Sequence, residues 1–304
     1  MELLTFCPLC KSTKFVEFLK GCDYFLTNEE FLIVQCNECG LKFVNPRPAA
    51  NEISSYYEST EYISHDTRGP GIRKMFYSIV RNYTCKKKRI LIEKYSTGRK
   101  LLDIGCGTGE FISSCKTAGW EVTGVEPNQK PREFAIAKHK VDIIDEASLG
   151  KLTKPGFDVV TLWHVLEHVH HLEERMQKIK QILNENGILI IAVPNSNSWD
   201  AQHYGKYWAA YDLPRHIYHF SKNTISGLAE KFEFSVEEIV PMKFDSFYIS
   251  LLSEKYQKGK TNFIKAVLNG FRSNEYARKK KMEYSSLIFV LKAKNSKIKT
   301  FGAR

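Results

Sequence analysis

Two cysteine pairs near the start of the chain, Cys7-Pro8-Leu9-Cys10 and Cys36-Asn37-Glu38-Cys39-Gly40, are separated by 25 residues. Each C-x-x-C turn can aim two thiolates at one ion, and Gly40 gives the second turn the backbone freedom such a knuckle needs. Sulfurs from Cys7, Cys10, Cys36 and Cys39 would complete a tetrahedron around zinc with no open position, so the expected ion is structural rather than catalytic. A second feature lies further on, where Lys100-Leu101-Leu102-Asp103-Ile104 runs into Gly105-Cys106-Gly107-Thr108-Gly109-Glu110. Glycines at a strand-to-helix bend let backbone approach a ligand with no Cβ in the way. Glu126, 21 residues after Gly105 and followed by Pro127, stands where a carboxylate can accept hydrogen bonds from both hydroxyls of a ribose.

The bend reads G-x-G-x-G rather than the G-x-G-x-x-G of dinucleotide sites, and Asp103 and Glu110 bracket it with negative charge. Acids at that place repel a pyrophosphate and suit a cation. S-adenosyl-L-methionine, which carries an ammonium and a sulfonium and no phosphate, fits that charge better than NAD. Histidines that follow later strands, His164, His216 and His219, are candidate bases, because an imidazole titrates in the range needed to take a hydroxyl proton. His168, His170 and His171 also cluster, but with no matching carboxylate set elsewhere the sequence assigns them no catalytic metal.

The segments Leu102-Asp103-Ile104-Gly105-Cys106-Gly107-Thr108-Gly109, Gly124-Val125-Glu126-Pro127, Trp163-His164-Val165-Leu166-Glu167-His168 and Asp212-Leu213-Pro214-Arg215-His216-Ile217-Tyr218-His219-Phe220-Ser221 together resemble class I S-adenosylmethionine-dependent methyltransferases. The resemblance is strongest to bacterial small-molecule and surface-glycan members with an N-terminal cysteine-rich module, and it covers roughly residues 5–48 and 75–240. It implies a doubly wound α/β fold with a seven-stranded, mostly parallel sheet whose last strand is antiparallel. It also implies that Gly105, Cys106, Gly107 and Gly109 cradle the methionine part of the donor, that Glu126 binds ribose, that Asp145 and Glu146 lie beside adenine, and that Trp163 and His164 face donor and acceptor together.

The elements that must position these groups are visible as patterns. Strand-like runs at Phe15 to Leu19 and Phe31 to Gln35 flank the cysteine pairs, and Asn45-Pro46-Arg47-Pro48 closes a zinc-ribbon-like module over residues 1–48. A module that small cannot bury a large core, and a metal clip replaces the missing stabilisation. Residues 49–95 read as a helical connector or cap, with Ile72, Met75, Phe76, Ile79, Val80 and Tyr83 at helical spacing, preceded by a polar stretch holding Tyr56, Tyr57, Tyr62 and His65. Residues 96–304 read as the donor-binding domain. Strands are expected at Lys100 to Ile104, Glu121 to Glu126, Val141 to Ile144, Phe157 to Leu162, Gly187 to Val193, Phe234 to Val240 and Ser286 to Lys292. A helix is expected over 170–184, Ser221 is a candidate N-cap, and an insertion of mixed helical character spans about 245–281. Trp199, Tyr204, Tyr207, Trp208 and Tyr211 form an aromatic-rich loop suited to stacking on an acceptor. Cys22, Cys85, Cys106 and Cys115 lack pairing and read as small packing residues.

Composition sets the outer limits. No apolar run reaches the ~18 residues a membrane span needs, and the start of the chain lacks a signal-like pattern, so a cytoplasmic protein is expected. Lys and Arg exceed Asp and Glu by 45 to 34, a net charge of +11, which suits an anionic partner: nucleic acid, a phosphorylated small molecule or peripheral contact with an anionic lipid surface. Much of this charge is expected as solvated surface, although Lys86 to Arg89 and Arg278 to Lys281 form local basic runs. Nucleic acid is not favoured, because the fourth strand ends in Leu162-Trp163-His164-Val165 and carries neither an Asn/Asp-Pro-Pro-aromatic signature nor a Pro-Cys nucleophile. The expected activity is therefore methylation of a small molecule, at oxygen of a sugar, glycan precursor or lipid-linked acceptor. An RNA methyltransferase with a zinc finger and a non-catalytic donor-binding protein are the competing readings. The oligomeric state is not readable.

Overall fold

The computed structural model describes residues 1–57, 71–280 and 282–294, with backbone alone for 71–79. Tyr62, His65, Lys281, Lys297, Lys299 and Arg304, and the side chains of Ile72, Met75, Phe76 and Ile79, lie outside the described residues. Two sheets organise the chain. The larger has seven strands: β4 (Lys100–Ile104), β5 (Glu121–Val125), β6 (Asp142–Ile144), β7 (Phe157–Trp163), β8 (Leu183–Pro194), β10 (Phe234–Pro241) and β11 (Ser286–Ala293). Their order in space is β10-β11-β8-β7-β4-β5-β6. The β4, β5, β6, β7 and β8 pairings are parallel, and β11 runs antiparallel to both β8 and β10, as the resemblance implied.

Alternation along the strands explains why helices cover both sides. Leu102, Val160, Leu162, Leu189, Ile191, Leu287 and Phe289 enter one buried cluster. Leu101, Val159, Ile188, Ile190, Ala192, Ile288 and Val290 enter the cluster on the opposite face. A sheet buried on both faces gives the near-continuous apolar runs seen in β8 and β11. The strand order reverses between β4 and β7, and in open sheets of this kind ligands bind in the crevice at the carboxyl ends beside that switch. The helix expected over 170–184 spans Leu172–Ile182 and buries Leu172, Met176, Ile179 and Ile182. Ser221 caps Lys222–Lys231, its hydroxyl accepting from the Thr224 N–H at 3.3 Å. The insertion folds as two packed helices, Asp245–Lys258 and Phe263–Lys279.

The smaller sheet holds β1 (Phe15–Cys22), β2 (Glu30–Cys36) and β3 (Lys42–Val44), all antiparallel. Its fourth strand, β9 (Tyr218–His219), comes from far downstream: Lys42 pairs with His219 and Phe43 with Tyr218. The boundary expected at residue 48 thus marks a change along the sequence, while the sheet itself continues into the other domain. Cys7, Leu9, Val34, Cys36 and Phe43 join the same buried cluster as one face of the larger sheet.

A buried ion bridge fixes the two parts together. Arg215, 1% exposed, donates to Asp23 Oδ1 at 2.8 Å and to Asp212 Oδ1 at 2.7 Å, and its third nitrogen donates to the Tyr56 carbonyl at 3.0 Å. Asp23 is fully buried and also accepts from the N–H groups of Phe25, Leu26 and Thr27, each at 3.1 Å. Removing one member of such a bridge strands a charge in the interior, at about 3–5 kcal/mol. Arg215→Ala is therefore expected to lose that much in urea unfolding, with Arg215→Lys intermediate because an ammonium lacks the planar fork. An Arg215→Ala midpoint equal to wild type would show that the bridge does not hold the parts together.

Candidate active site

The glycine bend leaves β4 and opens the helix Glu110–Thr117. Gly107 has φ +54°, and a Cβ built there meets nothing within 4 Å, so the bend leaves open space above its backbone. Glu126 follows β5 directly and is buried, with Oε2 accepting from the Gly107 N–H at 2.9 Å and Oε1 from the Asn128 N–H at 3.0 Å. Burial raises its pKa while those two amides oppose the rise. Each oxygen keeps a second lone pair for a hydroxyl donor, so the open bend and the adjacent carboxylate fit a nucleoside of the kind S-adenosylmethionine contains.

The other acids behave differently from the sequence expectation of a negative bracket. Asp103 lies under the bend, 2% exposed, and accepts from the Thr161 hydroxyl at 2.6 Å. Burial pushes its pKa up to about 7. Glu110 is paired with Arg81 at 3.4 Å and Lys138 at 3.2 Å. Neither presents a free charge, which leaves Glu126 as the acid at the bend that is suited to a ligand. Asp145 caps the helix Glu146–Lys151 by accepting from the Ser148 N–H at 2.8 Å, and Glu146 pairs with Arg175. Both stand at the end of β6, next to Glu126, whose N–H donates to the Ile144 carbonyl at 3.1 Å. Pro127 lends its carbonyl to Arg132 at 3.0 Å, and the Cys106 sulfur packs on Gly124.

At the end of β7, Trp163 packs edge-on against Phe111, with its indole nitrogen buried and without a hydrogen-bond partner among the described residues. The ammonium of Lys88, from the helix Gly71–Tyr95, lies 4.2 Å from the Trp163 ring centroid, so one member of the expected surface basic run is interior. His164 adopts φ +58°, a region that non-glycine residues rarely occupy, and its N–H is held by the Ala192 carbonyl at 2.9 Å. The next residue, Val165, is what a Cβ on Gly105 would strike, at 2.4 Å, so the bend and the turn after β7 are in direct contact. Nδ1 of His164 is 3.5 Å from Glu167 and Nε2 is 3.2 Å from Asp245. Burial works against the imidazolium, but the Asp245 and Glu167 carboxylates outweigh it and hold the pKa at about 9. With both ring nitrogens turned to carboxylates, His164 has no lone pair aimed at the cavity, which is not the placement expected of a base.

Beside His164 opens a cavity of about 600 Å³ lined by His168, His216, Asp212, Asp245 and Tyr256, among others. His216 donates from Nδ1 to the Ala210 carbonyl at 2.8 Å, which leaves the Nε2 lone pair free of the backbone. His219 is elsewhere. It sits on β9 inside the smaller sheet, 3% exposed, against the Tyr211 ring, and burial holds its pKa well below normal. Of the two alternative bases, His216 or His219, the structure brings the first to the cavity and places the second in the smaller sheet. Of the aromatic loop, Tyr204, Trp208 and Tyr211 are core residues, and the Trp208 N–H is bound to buried Asp200 at 2.8 Å. Asp212, Asp245 and Glu167 join the site without having been singled out from sequence. Glu167 was legible beside His168, whereas Asp245 belongs to an insertion with no motif.

The four cysteine sulfurs all lie within 4.8 Å of one another, with Cys7 to Cys39 and Cys10 to Cys36 each 3.5 Å apart. Zinc–sulfur bonds of about 2.3 Å place tetrahedral sulfurs about 3.8 Å apart, so the residues fit zinc, which would be held by Cys7, Cys10, Cys36 and Cys39. One zinc per chain is expected by elemental analysis of wild type, and none in Cys7→Ser/Cys36→Ser. If chelation leaves the unfolding midpoint unchanged, the sulfurs are not what holds the module.

Comparisons with known proteins bear on the same residues. Residues 76–239 match the family described as Methyltransferase domain. A ubiquinone biosynthesis O-methyltransferase of Dechloromonas aromatica is 24% identical over 190 residues, 58% of this chain and 79% of that one. The Pelagibacter ubique protein of the same name is 32% identical over 101 residues, 32% of this chain and 42% of that one. Apart from the Dechloromonas protein, the chain spans about half the length of the first curated relatives it matches. Among solved structures, magnesium protoporphyrin IX methyltransferase from Synechocystis PCC 6803 shares the fold at 16% identity and TM-score 0.51, over 81% of this chain and 100% of that one. Geranyl diphosphate C-methyltransferase from Streptomyces coelicolor A3(2) does so at 15% identity and TM-score 0.51, over 78% and 87%. With a seven-stranded sheet reversed at β11, a glycine bend over Glu126 and a match over more than half its length, the chain belongs to the methyltransferase-domain family and has the class I S-adenosylmethionine-dependent methyltransferase fold.

Proposed function

We propose that the chain methylates an oxygen of a small molecule held in the cavity beside His164, with a sugar, glycan precursor or lipid-linked molecule as acceptor. The observation that carries this reading is the contact between the two halves of the site: Gly105 of the donor bend abuts Val165, whose neighbour His164 lines the cavity. S-adenosylmethionine, when bound, supplies a methyl group already activated on a sulfonium. The chain then has to align the acceptor with that carbon and manage one proton.

The residues divide that work. Glu126 accepts from the ribose and the glycine bend carries the rest of the nucleoside. His164, held as an imidazolium with its two N–H groups facing Glu167 and Asp245, places positive charge beside the acceptor. His216, with Nδ1 committed to Ala210, is the group assigned to making the acceptor hydroxyl a nucleophile. The O-methyltransferase names of the relatives support oxygen as the methylated atom. Phe263, Ile264, Leu268 and Phe271 on the second insertion helix are exposed beside Lys260 and Lys265, which supports a lipid-linked acceptor met at an anionic surface. Among the described residues no helix is long and apolar enough to cross a membrane.

Glu126→Ala is expected to weaken calorimetric binding of S-adenosylmethionine and S-adenosylhomocysteine by about tenfold or more, the loss of a charge-assisted bond. His216→Ala is expected to cut kcat by about 10²–10⁴ with donor affinity unchanged. The acceptor is found by comparing metabolites of wild-type and Glu126→Ala cells for a species that becomes one methylene lighter. Donor that fails to bind wild type while NAD binds well would overturn the reading.

A further inference from the structure

Glu167 is 1% exposed, its charged neighbour His164 stands back at 3.5 Å, and among the described residues neither carboxylate oxygen has a hydrogen-bond partner. An interior carboxylate left that way forfeits its hydration, a cost that proteins ordinarily offset with a cation. Two imidazoles converge on it. Ligand atoms of Glu167, His168 and His216 all lie within 4.8 Å of one another, and the two rings meet edge to face at 4.6 Å. Both rings are oriented from behind: His168 Nδ1 is 2.9 Å from the Arg215 carbonyl, and His216 Nδ1 is 2.8 Å from that of Ala210. A backbone carbonyl accepts only from N–H, so each ring carries its proton on Nδ1, where His168 also meets the Tyr57 hydroxyl at 2.9 Å, and each keeps an Nε2 lone pair for a ligand. Carbonyl-anchored imidazoles of this tautomer are how proteins present nitrogen ligands to metals.

We propose that Glu167, His168 and His216 bind a divalent first-row transition cation, separate from the four-cysteine centre. Two nitrogens and one carboxylate suit ions such as Mn²⁺, Fe²⁺ or Zn²⁺ and leave coordination positions open. Because His168 and His216 line the cavity, those positions belong to an acceptor, and an acceptor with two adjacent oxygens occupies two of them. The groups around the ion are consistent with it. Asp212, already bound to Arg215, lies 3.9 Å from His216 Nε2, and His164, 3.5 Å from Glu167, is the cation the ion would partly displace. The sequence withheld a metal from the His168 cluster for want of a carboxylate, and the missing ligand is its immediate neighbour.

The cation's role toward an acceptor rests on the methyl-transfer reading; the site does not. In that role the ion, held in part by His216, would make the acceptor hydroxyl acidic enough to give its proton to solvent water as the O–C bond forms and the S–C bond breaks, so His216 acts through the metal. The test is a Mn²⁺ titration of the zinc-loaded chain followed by electron paramagnetic resonance. One equivalent is expected to bind, and Glu167→Gln and His216→Gln are expected to weaken binding by about 100-fold, with circular dichroism and S-adenosylmethionine binding retained. Should either variant fail to fold, paramagnetic broadening of the His168 and His216 ring resonances in wild type supports the site in its place. Wild type that binds no Mn²⁺, variants that bind as well as wild type, or broadening confined to other histidines would overturn the site. If Mn²⁺ binds and methyl transfer survives its removal, the catalytic role falls; if Mn²⁺ binds and S-adenosylmethionine does not, the methyl-transfer reading falls and the site stands.

Discussion

The arrangement depends on a guanidinium placed where no water can reach it. Arg215 has two carboxylates and a carbonyl as partners, and those partners come from three stretches of chain: Asp23 from the cysteine module, Tyr56 from the connector and Asp212 from the loop that carries His216. A buried bridge of this kind adds little net stability over apolar packing, but it tolerates few alternatives, because any other placement leaves a charge unpaired. Its value to the site lies in that intolerance. His216 immediately follows Arg215, and His168 bonds to the Arg215 carbonyl, so the geometry of both cavity imidazoles is inherited from the bridge.

Charge in the donor region follows the same logic of pairing. Carboxylates that the sequence shows side by side end in different states: Asp103 is submerged and bonded to Thr161, Glu110 is neutralised by Arg81 and Lys138, and Glu126 is held by two amides with lone pairs to spare. What the bend offers a phosphate-free nucleoside is thus one acid rather than a general negative field.

Much of the fold was legible because it is written in short-range patterns. The β4 run ending in glycines, the period-2 alternation of β8 and β11, the Ser221 cap and the two C-x-x-C turns each need only neighbouring residues to be recognised. Glu126 was legible for the same reason, as a fixed interval after the bend. What stayed hidden depends on long-range closure. Nothing near Tyr218 announces that it pairs with Phe43, so His219 looked like a site residue when it is a sheet residue. Asp245 reaches His164 from an insertion whose sequence carries no periodic signal for that contact. Glu167 illustrates a third case: it was in plain view, but its role needed His216, 49 positions away (216 − 167), to be brought beside it.

The pairing of Phe43 with Tyr218 spans 175 positions (218 − 43). On a ribosome adding roughly 5–20 residues per second, β3 emerges many seconds before the strand that completes its sheet, and its outer edge must wait unpaired until then. Metal captured early by the thiolates would keep that waiting edge in shape. The same pairing means that the first fifty residues are no cassette. Transplanted to another enzyme they would arrive with an open flank, and a gene rearrangement that moved them would have to carry the histidine loop along.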